Sequence, residues 1–397
     1  MNKQKIIIAL TVLIDVIGIG LVLPSMPFYV ARVGGAALEV TYLFAAFSIC
    51  SFLSTPLLGA LSDRIGRRPV LILSIASTAI GWFVFASAKS LVFLFVGRII
   101  DGLAAGNFST AQSYLVDISK DDKDRTHNLG IVGAMFGIGF ILGPMLGGVL
   151  GAISPSLPFW MAGIMATINV VLAIIFLPET NKNRNTTKMN FNPFVPIVRA
   201  IKNKTLFPYF ATWFLFGIAM SGTQSIMALY FSDRFGFSAL IIGTIITVQG
   251  IILSVNQMVG LKLFWLKHFK EPDLVLFMLL AFSVSYLLMG LNFATLFFLG
   301  TFIGIFAQSV LRSVFVSQVM GMAEPRAKGE IMGIIASVLS LGMVVGPLAT
   351  GPLYTYKNNF PFLTSAVLMF GAFAIIYHNR QRLKRIKLDE NVQVNVI

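Results

Sequence analysis

The feature that most limits this chain is a succession of apolar runs, each about as long as a bilayer is thick. Residues 40–58 form one such run and residues 70–88 the next, with a short charged stretch between them. A helix rises 1.5 Å per residue, so about 20 apolar residues cross the hydrocarbon core. In that core no water satisfies the backbone, so a single unbroken run must be helical. A transmembrane barrel would need shorter segments of alternating polarity, and these runs do not alternate. Counting them gives twelve helices, near 6–30, 40–61, 69–88, 91–118, 127–152, 158–177, 206–231, 238–264, 273–292, 294–320, 328–356 and 360–379. Only 12% of the 397 residues are charged, against about 25% in soluble proteins. The fold class is therefore all-α integral membrane. The first run is too long for a signal peptide and lacks a small-residue cleavage site, so it reads as a retained helix.

The net charge of +14 invites a nucleic-acid reading, which its placement rejects. Arg32, Lys89, Arg234 and Lys357 fall outside and Arg98 falls within the membrane. The other Lys and Arg lie in alternate loops, at the ends of helices on one side, or in the tail, and such loops stay cytoplasmic. An even number of spans then puts both termini in the cytoplasm, and the expected location is a bacterial inner (plasma) membrane. The partners implied are the lipid bilayer, a small-molecule substrate and protons. Cys50 is the one cysteine, in an apolar run where it packs.

Residues 178–204 interrupt the pattern with polar and basic residues. They read as a cytoplasmic linker between a six-helix bundle at 1–177 and a second at 205–379, followed by a basic tail at 380–397. Residues 191–200 are expected to form a short surface helix. The halves resemble each other at an offset of 203: Gly143 and Pro144 recur as Gly346 and Pro347, Gly97 meets Gly300, Gly130 meets Gly333 and Arg125 meets Lys328. Such a repeat reads as two pseudo-symmetric bundles about a site near the bilayer midplane.

Asp15 lies about nine residues into the first helix, hence about 13 Å from the inner face. Leu13, Ile14, Val16 and Ile17 around it offer no counter-charge. A charge at that depth costs several kcal/mol unless it is paired, hydrated or protonated, and taking up a proton is the economical answer. A carboxyl that gains and loses a proton as water access changes is what proton coupling requires; a plain hydrogen bond to a neighbouring helix is the competing reading. Arg98 and Asp101 share a face of the fourth helix, three residues apart. Two arrangements stand open: the two pair with each other, or Arg98 favours the ionised form of Asp101 or Asp15 and separates from it during transport. The interiors of the second-half helices carry amides instead of acids, Gln224, Gln249, Asn256, Gln257 and Gln308, which bond substrates but carry no protons. Arg312 is expected to snorkel from the inner end of helix 10. His127, His268 and His378 sit at cytoplasmic edges and make no metal set. No nucleophile–base pair, metal cluster or phosphate loop is present, so neither an enzyme nor a cofactor is expected.

The stretch Gly59-Ala60-Leu61-Ser62-Asp63-Arg64-Ile65-Gly66-Arg67-Arg68-Pro69 sits at a water boundary, and Pro69 suits the first turn of the next helix. Asp63 is expected to have no fixed partner within this loop, and its carboxylate could cap a helix N-terminus from elsewhere. The alternative is a solvated turn whose arginines set topology. The stretch resembles the signature between helices 2 and 3 of the major facilitator superfamily, G-x-L-[SA]-D-R-x-G-R-[RK], meeting every fixed position. The resemblance implies that superfamily's fold of two six-helix bundles and its alternating-access transport. It also implies a cytoplasmic gating cluster of Gly59, Asp63, Arg64, Gly66, Arg67, Arg68 and Asp117, with Asp63 facing the N-terminus of helix 11 near Arg326 and Glu330.

Arg98-Ile99-Ile100-Asp101-Gly102-Leu103-Ala104-Ala105 resembles the helix-4 motif of proton-coupled members, with Asp101 where that motif more often has Gln. This makes Asp15, Arg98 and Asp101 the proton-coupling candidates. Gly139-Phe140-Ile141-Leu142-Gly143-Pro144-Met145-Leu146-Gly147-Gly148 resembles the helix-5 signature found chiefly in exporters. Gly139, Gly143, Pro144, Gly147 and Gly148 would form its packing seam. Along most of its length the chain looks like a drug:proton antiporter of the tetracycline-efflux group. It departs from that group at Phe282 and Leu253, where the group has an acid and a histidine, while Gln257 matches the group's Gln. The stretch 260–265 reads as a degraded copy of the signature in the loop after helix 8. The expected function is export of a hydrophobic or amphipathic compound, drug or tetracycline-like, by a monomer. Phe136, Met220, Gln224, Gln249, Asn256 and Gln257 are the candidate substrate contacts. The alternative is an exporter or facilitator of an endogenous metabolite such as a siderophore or lipid precursor.

Overall fold

The computed structural model describes residues 3–181, 192–324 and 327–394. Most of the linker's polar centre, Phe191 and Arg326 lie outside the described residues. In chain order the helices are α1 (Lys3–Arg32), α2 (Ala37–Ile65), α3 (Arg67–Ala86), α4 (Leu91–Leu103), α5 (Asn107–Asp117), α6 (Asp122–Ile153), α7 (Leu157–Phe176), α8 (Val195–Lys202), α9 (Phe207–Phe235) and α10 (Ala239–Val255). A π-helix (Asn256–Trp265) follows, then α11 (Leu266–His268), α12 (Glu271–Gly290), α13 (Ala294–Gly321), α14 (Lys328–Tyr356) and α15 (Phe360–Val394). The described residues contain no strand. They contain twelve helical stretches long and apolar enough to cross a membrane, with α4–α5 and α10–α11 each making one. The protein is a multi-pass membrane protein.

The spans fall where bilayer thickness demands; the ends and interruptions differ. The signature stretch is not a loop. α2 runs through it to Ile65 and α3 starts at Arg67, leaving Gly66 alone between them at φ +118°. Only glycine adopts that conformation without strain. α6 begins at Asp122, five residues before expectation, because Asp121 caps it by accepting the Asp124 N–H at 2.7 Å. Its first turn is also tied to α1 by the Lys5–Asp124 ion pair at 2.5 Å. The stretch 260–265 is likewise helical, not a loop: it completes the π-helix. There Asn256 donates to Ser309 Oγ at 2.5 Å and accepts from Trp265 Nε1 at 3.0 Å. The surface helix is α8, shifted to Val195–Lys202. α15 continues past the expected end at 379, its backbone helical to Val394.

The fourth span is broken. Residues 104–106 form a turn between α4 and α5, where Gly106 N–H reaches only to the Ala104 carbonyl, at 2.6 Å. Hydroxyls from neighbouring helices bond the carbonyls around the break. Ser77 of α3 donates to Ile100 O at 2.9 Å, Ser54 of α2 to Gly102 O at 2.9 Å, and Thr55 of α2 to Ala105 O at 3.2 Å. In lipid this is the condition under which irregular backbone survives. Gly102 and Gly106 let α2 come close enough: a β-carbon on either would lie 2.7 Å from Cys50 Cβ or from Leu58. The repeat-related helix, α13, is unbroken.

The chain divides into two compact units. The first is Met1–Pro193 with Gln224–Ile251 and Pro347–Thr355; the second is Phe194–Thr223 with Ile252–Gly346 and Tyr356–Ile397. In the first, one apolar cluster gathers Leu21, Met26, Tyr29, Trp82, Phe85, Leu94 and Phe159, and another gathers Ile8, Val16, Leu71, Tyr114, Leu115 and Ala173. In the second, Trp213 stacks between Phe216 and Phe315 at centroid distances of 4.7 and 4.8 Å. The internal repeat is visible as contact chemistry. Gly139 and Gly143 of α6 press on Val16, Ile17 and Gly20 of α1. Their counterparts 203 residues on, Gly342 and Gly346 of α14, press on Phe214, Gly217, Ile218 and Gly222 of α9.

Candidate functional site

At the Gly66 turn the charged side chains close on one another. Arg67, the first residue of α3, pairs back to Asp63 in the last turn of α2, so Asp63 does have a partner within the stretch. The same guanidinium reaches Asp117 at the end of α5, Nε to Oδ2 3.1 Å, and the Ser62 hydroxyl at 2.7 Å. Arg68 donates to the Ile174 carbonyl of α7 at 2.7 Å. Arg64 is exposed, and Gly59 has open space where a β-carbon would stand.

The carboxylate that caps a helix here is Glu179. Its Oε1 accepts from Arg67 N–H at 2.9 Å and its Oε2 from Arg68 N–H at 3.1 Å, two orphan donors at the start of α3. The same Oε1 takes the Thr180 and Asn181 N–H groups at 2.9 Å. A side chain on Gly66 would collide with this carboxylate. Tyr114 of α5 fixes the approach by donating to Pro178 O at 2.9 Å, and Asn181 Nδ2 donates to Asp63 O at 2.8 Å. Sequence reasoning gave Glu179 no role. The available signal was an acid placed directly after a membrane helix.

Deeper in the first unit, Arg98 and Asp101 are both buried and pair with each other, Nη1 to Oδ2 3.2 Å. Of the two open arrangements, this is the one the structure holds. Arg98 Nε also reaches Leu43 O at 3.4 Å, and its guanidinium stands 4.4 Å from the Phe47 ring centroid, 5.4 Å from Trp82 and 5.8 Å from Phe44. Aromatic faces replace part of the hydration the cation gives up. Asp15 stands apart from this pair. Its Oδ2 accepts from Asn107 Nδ2 at 2.7 Å, while its Oδ1 is buried with no hydrogen-bond partner among the described residues. Asn107, the first residue of α5, was not among the expected site residues; an Asn directly after a glycine inside an apolar run was the signal for it.

The α6 motif serves two neighbours. β-Carbons on Gly139, Gly143 and Gly147 would each come within 2.8 Å of α1 atoms, whereas one on Gly148 would meet the Ala239 carbonyl of α10 at 2.8 Å. Pro144 removes the N–H that would bond Phe140 O. Gly250 passes that carbonyl closely, and Thr247 bonds the next one, Ile141 O, at 3.2 Å.

The candidate substrate contacts divide. Phe136 stacks on Phe140 at 5.5 Å and meets Phe108 edge-on at 5.9 Å. Gln249 leaves its Nε2 buried and without a hydrogen-bond partner among the described residues, and Gln224 is half-buried. In the second unit, Met220 receives the Gln308 amide at its sulfur at 3.4 Å, and Gln257 donates to Ser313 at 3.2 Å. Asn256 spends its amide on the π-helix bonds to Ser309 and Trp265.

Comparison with known proteins adds descent to this geometry. A family model described as Major Facilitator Superfamily matches residues 8–271 and 263–392. The class C tetracycline resistance protein of Escherichia coli is 31% identical over 367 residues, covering 89% of this chain and 90% of that protein. The quinolone resistance protein NorA of Staphylococcus aureus is 24% identical over 386 residues, covering 97% and 98%. Among solved structures, the human organic anion transporter MFSD10 (TETRAN) aligns with a TM-score of 0.71 at 24% identity, covering 94% of this chain and 99% of that one.

Proposed function

Because the chain belongs to the Major Facilitator Superfamily, we propose that it is a secondary transporter that exports a small hydrophobic or amphipathic compound in exchange for protons. The relatives named for tetracycline and quinolone resistance support the substrate class. The observation that carries the proton half is Asp15: a membrane-embedded carboxyl with no cationic partner among the described residues, bonded by one neutral amide, its second oxygen buried without a hydrogen-bond partner there. Asp101 is the second proton site, held by Arg98. The expected geometry is two six-helix halves, 1–177 and 205–379, joined by 178–204, with both termini in the cytoplasm of a bacterial cell and one chain sufficing. The Asp63–Arg67–Asp117 cluster, with Glu179 beneath it, is the cytoplasmic latch, and Phe136, Gln224 and Gln249 are its first unit's substrate contacts.

The test is transport in proteoliposomes under an imposed pH gradient, with tetracycline and a quinolone as trial substrates and a trapped pH dye. Substrate movement should follow the gradient and carry protons the other way. Asp15→Asn should abolish the coupled flux while leaving the protein folded. Coupled transport unchanged in Asp15→Asn would remove Asp15 from the mechanism, and flux indifferent to the gradient would end the reading.

A further inference from the structure

We propose that Asn107 is a positioning residue for the Asp15 proton site: the break in the fourth span presents its side-chain amide to that carboxylate, and without it Asp15 keeps its proton to higher pH. This rests on the reading of Asp15 as the proton-exchanging group.

The backbone fixes the orientation of the amide. Asn107 Oδ1 accepts the N–H of Phe108 at 3.0 Å. The acceptor end is thereby committed to the backbone, which leaves the NH2 end, two donors and no lone pair to offer, facing Asp15 Oδ2 at 2.7 Å. A donor of this kind favours the ionised carboxylate over the neutral acid. Asp15 also lies by the start of α5, where the helix dipole puts partial positive charge. A continuous helix from 91 to 117 would have no such end. Instead the chain turns at 104–106, and Ser54, Thr55 and Ser77 bond carbonyls around the turn. Hydroxyls from two helices thus maintain an opening whose product is one amide aimed at one acid.

Among the described residues no second hydrogen bond reaches the Asp15 carboxyl. α4 contributes Arg98 and Asp101, and these pair with each other. α6 presents glycines and aliphatic carbon to this stretch of α1, Gly139 on Val16 and Gly143 on Ile17 and Gly20. α7 presents neutral Asn169, which accepts from Thr11 one turn away at 2.9 Å. The repeat supplies the contrast. In the second half the offset places Val310 at the position of Asn107, on a continuous helix, and the α9 positions near Asp15's counterpart carry no acid. Break, amide and carboxyl occur together in one half only.

The experiment is a pH titration by infrared difference spectroscopy of the full-length protein in nanodiscs, which needs no substrate. The protonated-carboxyl band absent from Asp15→Asn identifies Asp15. In Asn107→Ala the midpoint of that band should rise by about one pH unit, about tenfold in proton affinity. Asn107→Ser, which retains a shorter donor, should fall between Ala and wild type, and Asn107→Asp should exceed Ala. Thermal stability is measured alongside. A lower melting temperature with an unmoved midpoint makes Asn107 merely structural and overturns the proposal, as does a spectrum in which no band depends on Asp15. A midpoint that follows the series while proteoliposome flux ignores the pH gradient sustains Asn107's role and sinks the transport reading alone.

Discussion

Glu179 does with one side chain what a helix terminus otherwise needs several groups to do. Four backbone N–H groups converge on its two oxygens, two of them from the opening of α3. Removing the acceptor leaves those donors to water or to nothing, and helix caps of this sort are worth about 0.5–2 kcal/mol. Glu179→Ala should therefore lower the thermal midpoint of the purified protein by an amount equivalent to about 1 kcal/mol, with Glu179→Gln losing less because an amide oxygen still accepts. Equal midpoints for all three proteins would show that the cap carries no weight. Single residues were legible here when their chemistry was out of place, as Asp15, Arg98 and Asp101 are in an apolar helix. Glu179 was not, because its partners lie 112 and 111 residues away and an acid at a membrane edge is unremarkable by itself. The role first considered for Asp63, a carboxylate capping a distant helix, belongs to Glu179, while Asp63 is occupied by Arg67.

At the level of elements, the twelve spans could be read because lipid thickness fixes their length, and the α6 glycines because close helix approach leaves few residue types. What could not be read is which neighbour each glycine serves. Gly147 lies on α1, where a β-carbon would collide with the Leu21 carbonyl oxygen, whereas Gly130, earlier in the same helix, faces open space. Backbone cannot yield as a flexible side chain can, so Gly147→Ala should destabilise by about 1–3 kcal/mol, the range for overpacking. Gly130→Ala should be neutral or stabilising by up to about 1 kcal/mol through helix propensity. Melting curves of the two variants decide it, and indistinguishable curves would mean the α1–α6 seam is softer than its geometry implies. The break in the fourth span stayed hidden for a related reason. Ala104-Ala105-Gly106 is compatible with a helix, and the hydroxyls that stabilise the turn come from α2 and α3, far off in the chain. The π-helix was hidden likewise, since its hub Asn256 is satisfied by Ser309, 53 residues on.

For the molecule as a whole, the repeat at an offset of 203 divides the chain by sequence, while contacts divide it otherwise, assigning segments of α9, α10 and α14 to the unit that contains α1–α7. Sequence halves are set by duplication and contact units by where backbones come closest, and in a transporter the two need not coincide. More than one close approach makes the difference: on α14 a β-carbon at Gly351 would meet Thr41 and Leu38 of α2. α10 meets α6 through Gly243, where a β-carbon would stand 2.8 Å from Gly148 Cα and 3.0 Å from its nitrogen, and through Ala239 against Gly148 and Gly151. Membrane helices associate through such small-residue contacts rather than through a hydrophobic drive, because lipid tails are as apolar as the side chains. A chain supplied as two co-expressed fragments, 1–181 and 192–397, should accordingly reassemble, and a tag on the first should recover the second from detergent extracts. Gly243→Leu should sharply reduce that recovery, since leucine has no room between two backbones. Gly329→Leu, on α14 where a β-carbon meets nothing, should leave recovery unchanged. Equal recovery of the Gly243→Leu and wild-type fragments would mean that the α6–α10 contact does not hold the two parts of the chain together, and the assignment of α10 to the first unit would lose its energetic meaning.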